Sequence, residues 1–221
     1  CTVDFILMII SLTGFMGCGK SSVGRRLSEL LCCPFMDLDE EIEAWAGKSI
    51  PEIFAEEGES AFRKMELKTL NGIVPMPMYS RGPLPADAGP LPLPGGGKMP
   101  LAYNRHTSLS SEDPYDESSQ DIILALGGGA VMTRECAEIV QNGTICIYLK
   151  ASVETLVSHL EGKTANRPML LGESLRERIS GLMDRRSATY ESTAHIIIDT
   201  DGKTIDENAE TIIRLGIPCR R

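Results

Sequence analysis

The stretch Gly14-Phe15-Met16-Gly17-Cys18-Gly19-Lys20-Ser21 fits G-x-x-x-x-G-K-[ST] and constrains the fold more than any other feature of the chain. Such a loop works only between a buried strand and a helix. Its glycines let the backbone wrap closely round an anion with the N–H groups turned inward. The following helix adds the positive end of its dipole. A lysine at this position places a point charge on outer phosphates, and the next hydroxyl suits Mg²⁺. Both flanks fit. Phe5 to Leu12 is an apolar run of strand type, and Val23, Leu27, Leu30 and Leu31 mark one face of an amphipathic helix. The loop is therefore expected to bind phosphate, with Gly17, Cys18, Gly19, Lys20, Ser21 and Ser22 as nucleotide contacts. A helix N-terminus can activate a thiol. The plainer expectation for Cys18 is a small filler facing away from the nucleotide.

Strand-like and helix-like segments alternate along the rest of the chain. Pro34 to Asp39 reads as a second strand, Asp121 to Leu126 as a third, Thr144 to Leu149 as a fourth and His195 to Thr200 as a fifth. Helices are expected over Glu40 to Ala46, after Ser49-Ile50-Pro51-Glu52, and over Glu59 to Ile73. The Ser49/Glu52 and Thr204/Glu207 pairs have capping-box spacing. Apolar strands alternating with helices mean an α/β fold: a parallel sheet covered on both faces, a three-layer sandwich within a single domain over 1–221. Val74 to Ser119 breaks the pattern, holding nine of the chain's thirteen prolines and the triplet Gly95 to Gly97. It is expected to be a disordered insertion, either a spacer or a docking segment for a partner.

The formal net charge is -9 and the pI near 4.9, which disfavours a general nucleic-acid or anionic-membrane binder. No run approaches the roughly 18 apolar residues that span a bilayer. The N-terminal apolar run is short, follows Asp4 and lacks a basic n-region, so it does not read as a signal peptide. The seven cysteines include no C-x-x-C pair, which points to reduced thiols and a cytoplasmic location.

Four constellations carry chemistry. Asp37 and Asp39 lie two apart at the expected end of the second strand, so both side chains should point the same way. One carboxylate would serve Mg²⁺ and the other a hydroxyl acceptor. Alternatively the pair caps a helix, with Asp39 in that role. Arg63 suits a bidentate grip on a carboxylate or phosphate, unless it is spent in an exposed i,i+3 pair with Glu66. Gly127-Gly128-Gly129 directly follows a strand, which fits close backbone approach to a ligand or a tight turn. Arg167 sits in a stretch that could close over phosphates. Arg185 and Arg186, one turn before Tyr190, look like a solvated face.

Taken together these residues resemble shikimate kinase, a small kinase of the nucleoside-monophosphate-kinase fold group. The matching pieces are GFMGCGKSSVGRRL, FMDLDEEIE, SIPEIFAEEGESAFRKME, LALGGGA, NRPMLL and the Arg186-x-x-x-Tyr190 spacing, over Ile10 to Ile213 with Val74 to Ser119 excluded. The resemblance implies a five-stranded parallel sheet with a lid at about 160–173. It also implies ATP- and Mg²⁺-dependent phosphorylation of the shikimate 3-hydroxyl in aromatic amino-acid biosynthesis, by a monomer. Lys20 and Arg167 would then contact the nucleotide, and Ser21 and Asp37 would serve the metal. Asp39 would hold the acceptor hydroxyl as candidate base. Arg63 and Arg186 would grip the carboxylate, and Gly127, Gly128 and Gly129 would line the acceptor site. The chain departs from the family at Leu126, where a small polar residue is more usual, and at His159-Leu160, where an arginine often stands. The rival readings are a gluconate or nucleoside-monophosphate kinase, and a catalytically weak nucleotide binder that recruits a partner through its insertion.

Overall fold

The structure, a computed structural model, describes residues 8–74, 121–161 and 174–217. Phe5 to Leu7, nearly all of the expected insertion at 74–119 and of the lid at 160–173, and Arg167 lie outside the described residues.

Five strands make one parallel sheet in the order β2-β3-β1-β4-β5: β1 (Ile9–Thr13), β2 (Phe35–Asp37), β3 (Ile122–Ala125), β4 (Ile145–Lys150) and β5 (Ile196–Asp199). Ile10 of β1 stands opposite Ile123 on one side and Ile145 on the other. All five residues of β1 are buried, as expected for a strand covered on both faces. Eight α-helices are described: α1 (Lys20–Leu31), α2 (Leu38–Ala46), α3 (Ile50–Glu56), α4 (Gly58–Ile73), α5 (Arg134–Gly143), α6 (Val153–Leu160), α7 (Leu175–Thr193) and α8 (Ile205–Arg214). The chain runs from β1 out to the β2 edge, returns to β3, then crosses β1 to reach β4. The winding thus changes direction beside β1, and the carboxyl ends of the strands there form the crevice in which open α/β sheets place ligands.

Local chemistry explains the element ends. Ser49 and Glu52 close a capping box at the start of α3, with Ser49 N donating to Glu52 Oε2 at 2.8 Å. Thr204 and Glu207 do the same for α8, at 2.8 Å and 3.2 Å. The second strand ends two residues earlier than the sequence pattern predicts. β2 stops at Asp37, whose Oδ1 accepts from Asp39 N at 3.1 Å and caps α2. Asp39 is therefore a first-turn helical residue, not a strand residue aligned with Asp37. The expectation that Asp39 does the capping is reversed.

On α4 the buried stripe is Phe62, Glu66, Leu70 and Ile73. Met65 and Thr69, beside that stripe, are only partly buried. A carboxylate occupies a core position of this helix, and its purpose is set by the crevice above it. Among the described residues no disulfide forms. The Cys146 and Cys136 thiols are held protonated by burial, pushed up to about 11 and about 12. Within the same residues, no helix is long and apolar enough to cross a membrane.

Candidate active site

At the end of β1 the chain turns through Gly17 (φ 83°) and Gly19 (φ 95°), both in the left-handed region that favours glycine. Gly19 is the N-cap of α1, so the first amides of that helix have no partner inside it and point out of its N-terminus. Lys20 is the first residue of the helix. Its Nζ reaches back to the Gly14 and Phe15 carbonyls, 3.0 Å from each, and the residue is buried over its own loop. Cys18 is buried and its Sγ lies under Gly14, so it fills space below the loop as its size suggests. Ser21 Oγ donates to Asp37 Oδ2 at 2.6 Å. Asp37 thus serves two elements at once, capping α2 with one oxygen and holding the loop serine with the other.

The acceptor side is built round the glycine triplet after β3. A methyl group on Gly127 would lie 2.6 Å from Asp39 Oδ1 and 3.0 Å from Glu66 Oε1. One on Gly129 would lie 2.5 Å from Arg63 Nη2 and 2.8 Å from Nη1. One on Gly128 would lie 3.1 Å from the Met16 amide nitrogen of the phosphate loop. At Gly127 and Gly129 a methyl would force the neighbouring side chains to shift, and at Gly128 it would fit tightly against the phosphate-loop backbone. Such close packing fits the ligand-approach reading of the triplet, and a plain turn does not require it. The backbone lies wedged between Asp39 at its start and Arg63 at its end.

Charge is concentrated here. Burial, then the neighbouring Asp37, pushes the Asp39 carboxyl from its ordinary 3.8 up to about 6, against the pull of Lys20 and Arg63. Burial also raises Glu66, and the Arg63 guanidinium resists that rise. Arg63 Nη1 pairs with Glu66 Oε2 at 2.8 Å and Nη2 with Glu59 at 3.1 Å. The pair with Glu66 forms at the expected i,i+3 spacing, but it is not the exposed pair the sequence suggests. Glu66 is 0% exposed, and its Oε1 has no hydrogen-bond partner among the described residues. Buried with one partner, it fixes the direction of Arg63 instead of adding much stability.

Arg186 departs from the solvated-face reading of its pairing with Arg185. It is buried on α7, beside exposed Arg185, and is no part of a solvated face. Its Nη1 donates to the Gly128 carbonyl at 3.3 Å, and its guanidinium lies 5.9 Å from the Phe15 ring. Leu126 is buried and continues the β3 ladder, its N donating to Leu12 O at 3.0 Å. His159 Nδ1 contacts the Gly17 carbonyl at 2.9 Å, while Leu160 packs on the Gly17 backbone. The end of α6 therefore rests on the phosphate loop.

The structure brings Lys20, Ser21, Asp37, Asp39, Arg63, Gly127, Gly128, Gly129 and Arg186 to one edge of the sheet. Sequence reasoning gave Glu66 only the role of an exposed partner to Arg63, and Tyr190 none beyond its spacing from Arg186. The spacing of Phe62, Glu66 and Leu70, four apart each time, was the available signal for Glu66. Chemically the arrangement offers an anion cradle on one side. On the other it offers the Asp39 carboxylate and two arginines arranged about the glycine turn, one arginine with no carboxylate partner among the described residues.

Known proteins resemble this chain in both sequence and fold. The family model described as shikimate kinase matches residues 16–77 and 115–215. The chain is 34% identical over 214 residues to a shikimate kinase of Chlorobaculum parvum, covering 93% of this chain and 90% of that one. It is 33% identical over 204 residues to one from Dictyoglomus turgidum, covering 92% and 94%. The solved shikimate kinase from Acinetobacter baumannii, in complex with shikimate, superposes with a TM-score of 0.71 at 30% identity, covering 96% of this chain and 93% of that chain.

Proposed function

The chain belongs to the shikimate kinase family, and from that premise we propose that it transfers the γ-phosphate of ATP to the 3-hydroxyl of shikimate. One observation carries the proposal. The triglycine turn is flanked by Asp39 at Gly127 and by Arg63 and Arg186 at Gly129 and Gly128. An acceptor with a hydroxyl at one end and a carboxylate at the other fits that order of charges.

The roles follow from position. Arg63 and Arg186 hold the acceptor carboxylate, which draws the substrate across the glycine amides. Asp39 accepts a hydrogen bond from the 3-hydroxyl and takes its proton as oxygen attacks the γ-phosphorus. The bond from that phosphorus to the bridging oxygen breaks and ADP leaves. Lys20 and the α1 amides neutralise charge on the phosphate oxygens, so the catalytic contribution is positioning and electrostatics. Ser21 Oγ and Asp37 Oδ2, 2.6 Å apart beside the loop, are a hard-oxygen pair of the type Mg²⁺ accepts alongside substrate phosphates. When bound there it would neutralise phosphate charge. Arg167, outside the described residues, keeps its place in the proposal as a second cation over the nucleotide.

The test is ADP release with Mg-ATP and, in separate reactions, shikimate, gluconate, nucleoside monophosphates or no acceptor. Release that depends on shikimate supports the proposal. Release that depends on gluconate or a nucleoside monophosphate instead refutes it.

A further inference from the structure

The mechanism leaves one buried polar side chain beside the glycine triplet without a role. Tyr190 is buried on α7, one turn after Arg186, and its hydroxyl donates to the Gly128 carbonyl. Arg186 Nη1 donates to the same oxygen. A carbonyl oxygen has two lone pairs, and both are used here. The Tyr190 ring is held in turn by Tyr148 of β4, stacked with centroids 5.2 Å apart. Tyr148 packs under Gly14 at the start of the phosphate loop.

Three consecutive glycines have no side chains to hold their peptide planes, and the backbone freedom of glycine is the largest of any residue. A peptide unit is planar and trans, so the direction of the Gly128 carbonyl sets the opposite direction of the Gly129 N–H. Gly129 lies against the Arg63 guanidinium. Anchoring one carbonyl on α7 therefore fixes the direction of the Gly129 amide, in the residue whose α-carbon packs beside the Arg63 guanidinium. Burial pushes the Tyr190 phenol well above its ordinary range, so the hydroxyl remains a donor at any working pH.

We propose that Tyr190 is a positioning residue for the acceptor: its hydroxyl, with Arg186, locks the Gly128–Gly129 peptide so that the amide of Gly129 faces the acceptor carboxylate. The inference rests on the shikimate kinase reading above and adds a residue to its acceptor site.

Tyr190→Phe tests it in the full chain. The variant keeps the ring and its stack and loses only the donor. Shikimate KM is expected to rise about tenfold, the effect of roughly one hydrogen bond's worth of positioning. The kcat and the KM for Mg-ATP should stay within about twofold. A lowered melting temperature with unchanged shikimate KM would overturn the proposal, leaving Tyr190 a core residue. Tyr148→Phe is the control, since that hydroxyl has no hydrogen-bond partner among the described residues. It should leave both KM values unchanged and stability equal or higher. A shikimate defect of equal size in Tyr148→Phe would trace the effect to the stack and overturn the role of the hydroxyl. A wild-type chain that turns over gluconate or a nucleoside monophosphate but not shikimate would remove the premise and this inference with it. A shikimate-active wild type with an unaltered Tyr190→Phe would remove this inference alone.

Discussion

The two halves of the crevice are built on opposite plans. The phosphate side is made of backbone. Its loop is eight contiguous residues, its lysine hydrogen-bonds to loop carbonyls and its serine to Asp37. The acceptor side is made of charged side chains from three helices set about a glycine turn. Asp39 comes from α2, Arg63 and Glu66 from α4, the glycines follow β3, and Arg186 comes from α7. There the charges are not at rest: Asp39 is pushed up to about 6, and Glu66 Oε1 is unpartnered among the described residues. The phosphate side can bind many nucleotides' phosphates. The acceptor side carries the strained charges, as functional sites commonly do.

The largest expected effect comes from removing the most loaded charge. Asp39→Asn should lower kcat by about 10²–10⁴-fold while ATP binding, measured by calorimetry, persists. The same variant should melt higher than wild type at pH 7.5. The folded-state pKa of Asp39 lies above its ordinary value, so the folded chain holds this proton more tightly than the unfolded chain does. The stability linked to that proton is present at low pH and is lost as pH rises through about 6. The melting advantage of Asp39→Asn should therefore shrink toward pH 5. An advantage that grows toward acid would contradict the burial of that charge.

Next come the arginines. Arg186→Ala and Arg63→Ala should each raise shikimate KM by about 10–100-fold, with a much smaller change in ATP KM. Equal effects on both substrates would erase the division of the crevice. The glycines sharpen the division further. Gly127→Ala drives a methyl into Asp39 and Glu66 and should act mainly on kcat, by about tenfold or more. Gly129→Ala meets the flexible end of Arg63 and should act mainly on shikimate KM, by about 3–10-fold. The smallest effect is expected at Arg25, whose pair with Glu40 is exposed at 54% and 61%. Arg25→Ala should shift stability by less than about 1 kcal/mol in chemical denaturation.

The same division decides how much could be read in advance. The phosphate loop, the parallel sheet and the caps at Ser49 and Thr204 depend on neighbours within a few residues, so their signals survive in one dimension. The acceptor side depends on contacts between distant segments. Tyr190 and Gly128 are 62 residues apart, and nothing local to either announces the bond. Arg186 looked solvent-facing beside Arg185, and only the packing of α7 on the glycine turn buries it. Asp37 and Asp39 were recognised as a pair, but the strand's end at Asp37 gave them different elements and different tasks. Glu66 was legible in part, because its place in the Phe62–Leu70–Ile73 stripe put a carboxylate where the core should be.

The central claim is that a hydroxy acid is phosphorylated beside Asp39. Its most direct test is the initial rate of shikimate 3-phosphate formation from Mg-ATP by wild type and Asp39→Asn, with ATP binding verified in both. The account predicts product from wild type and a loss of about two orders of magnitude or more in the variant. Equal rates in the two proteins would contradict it.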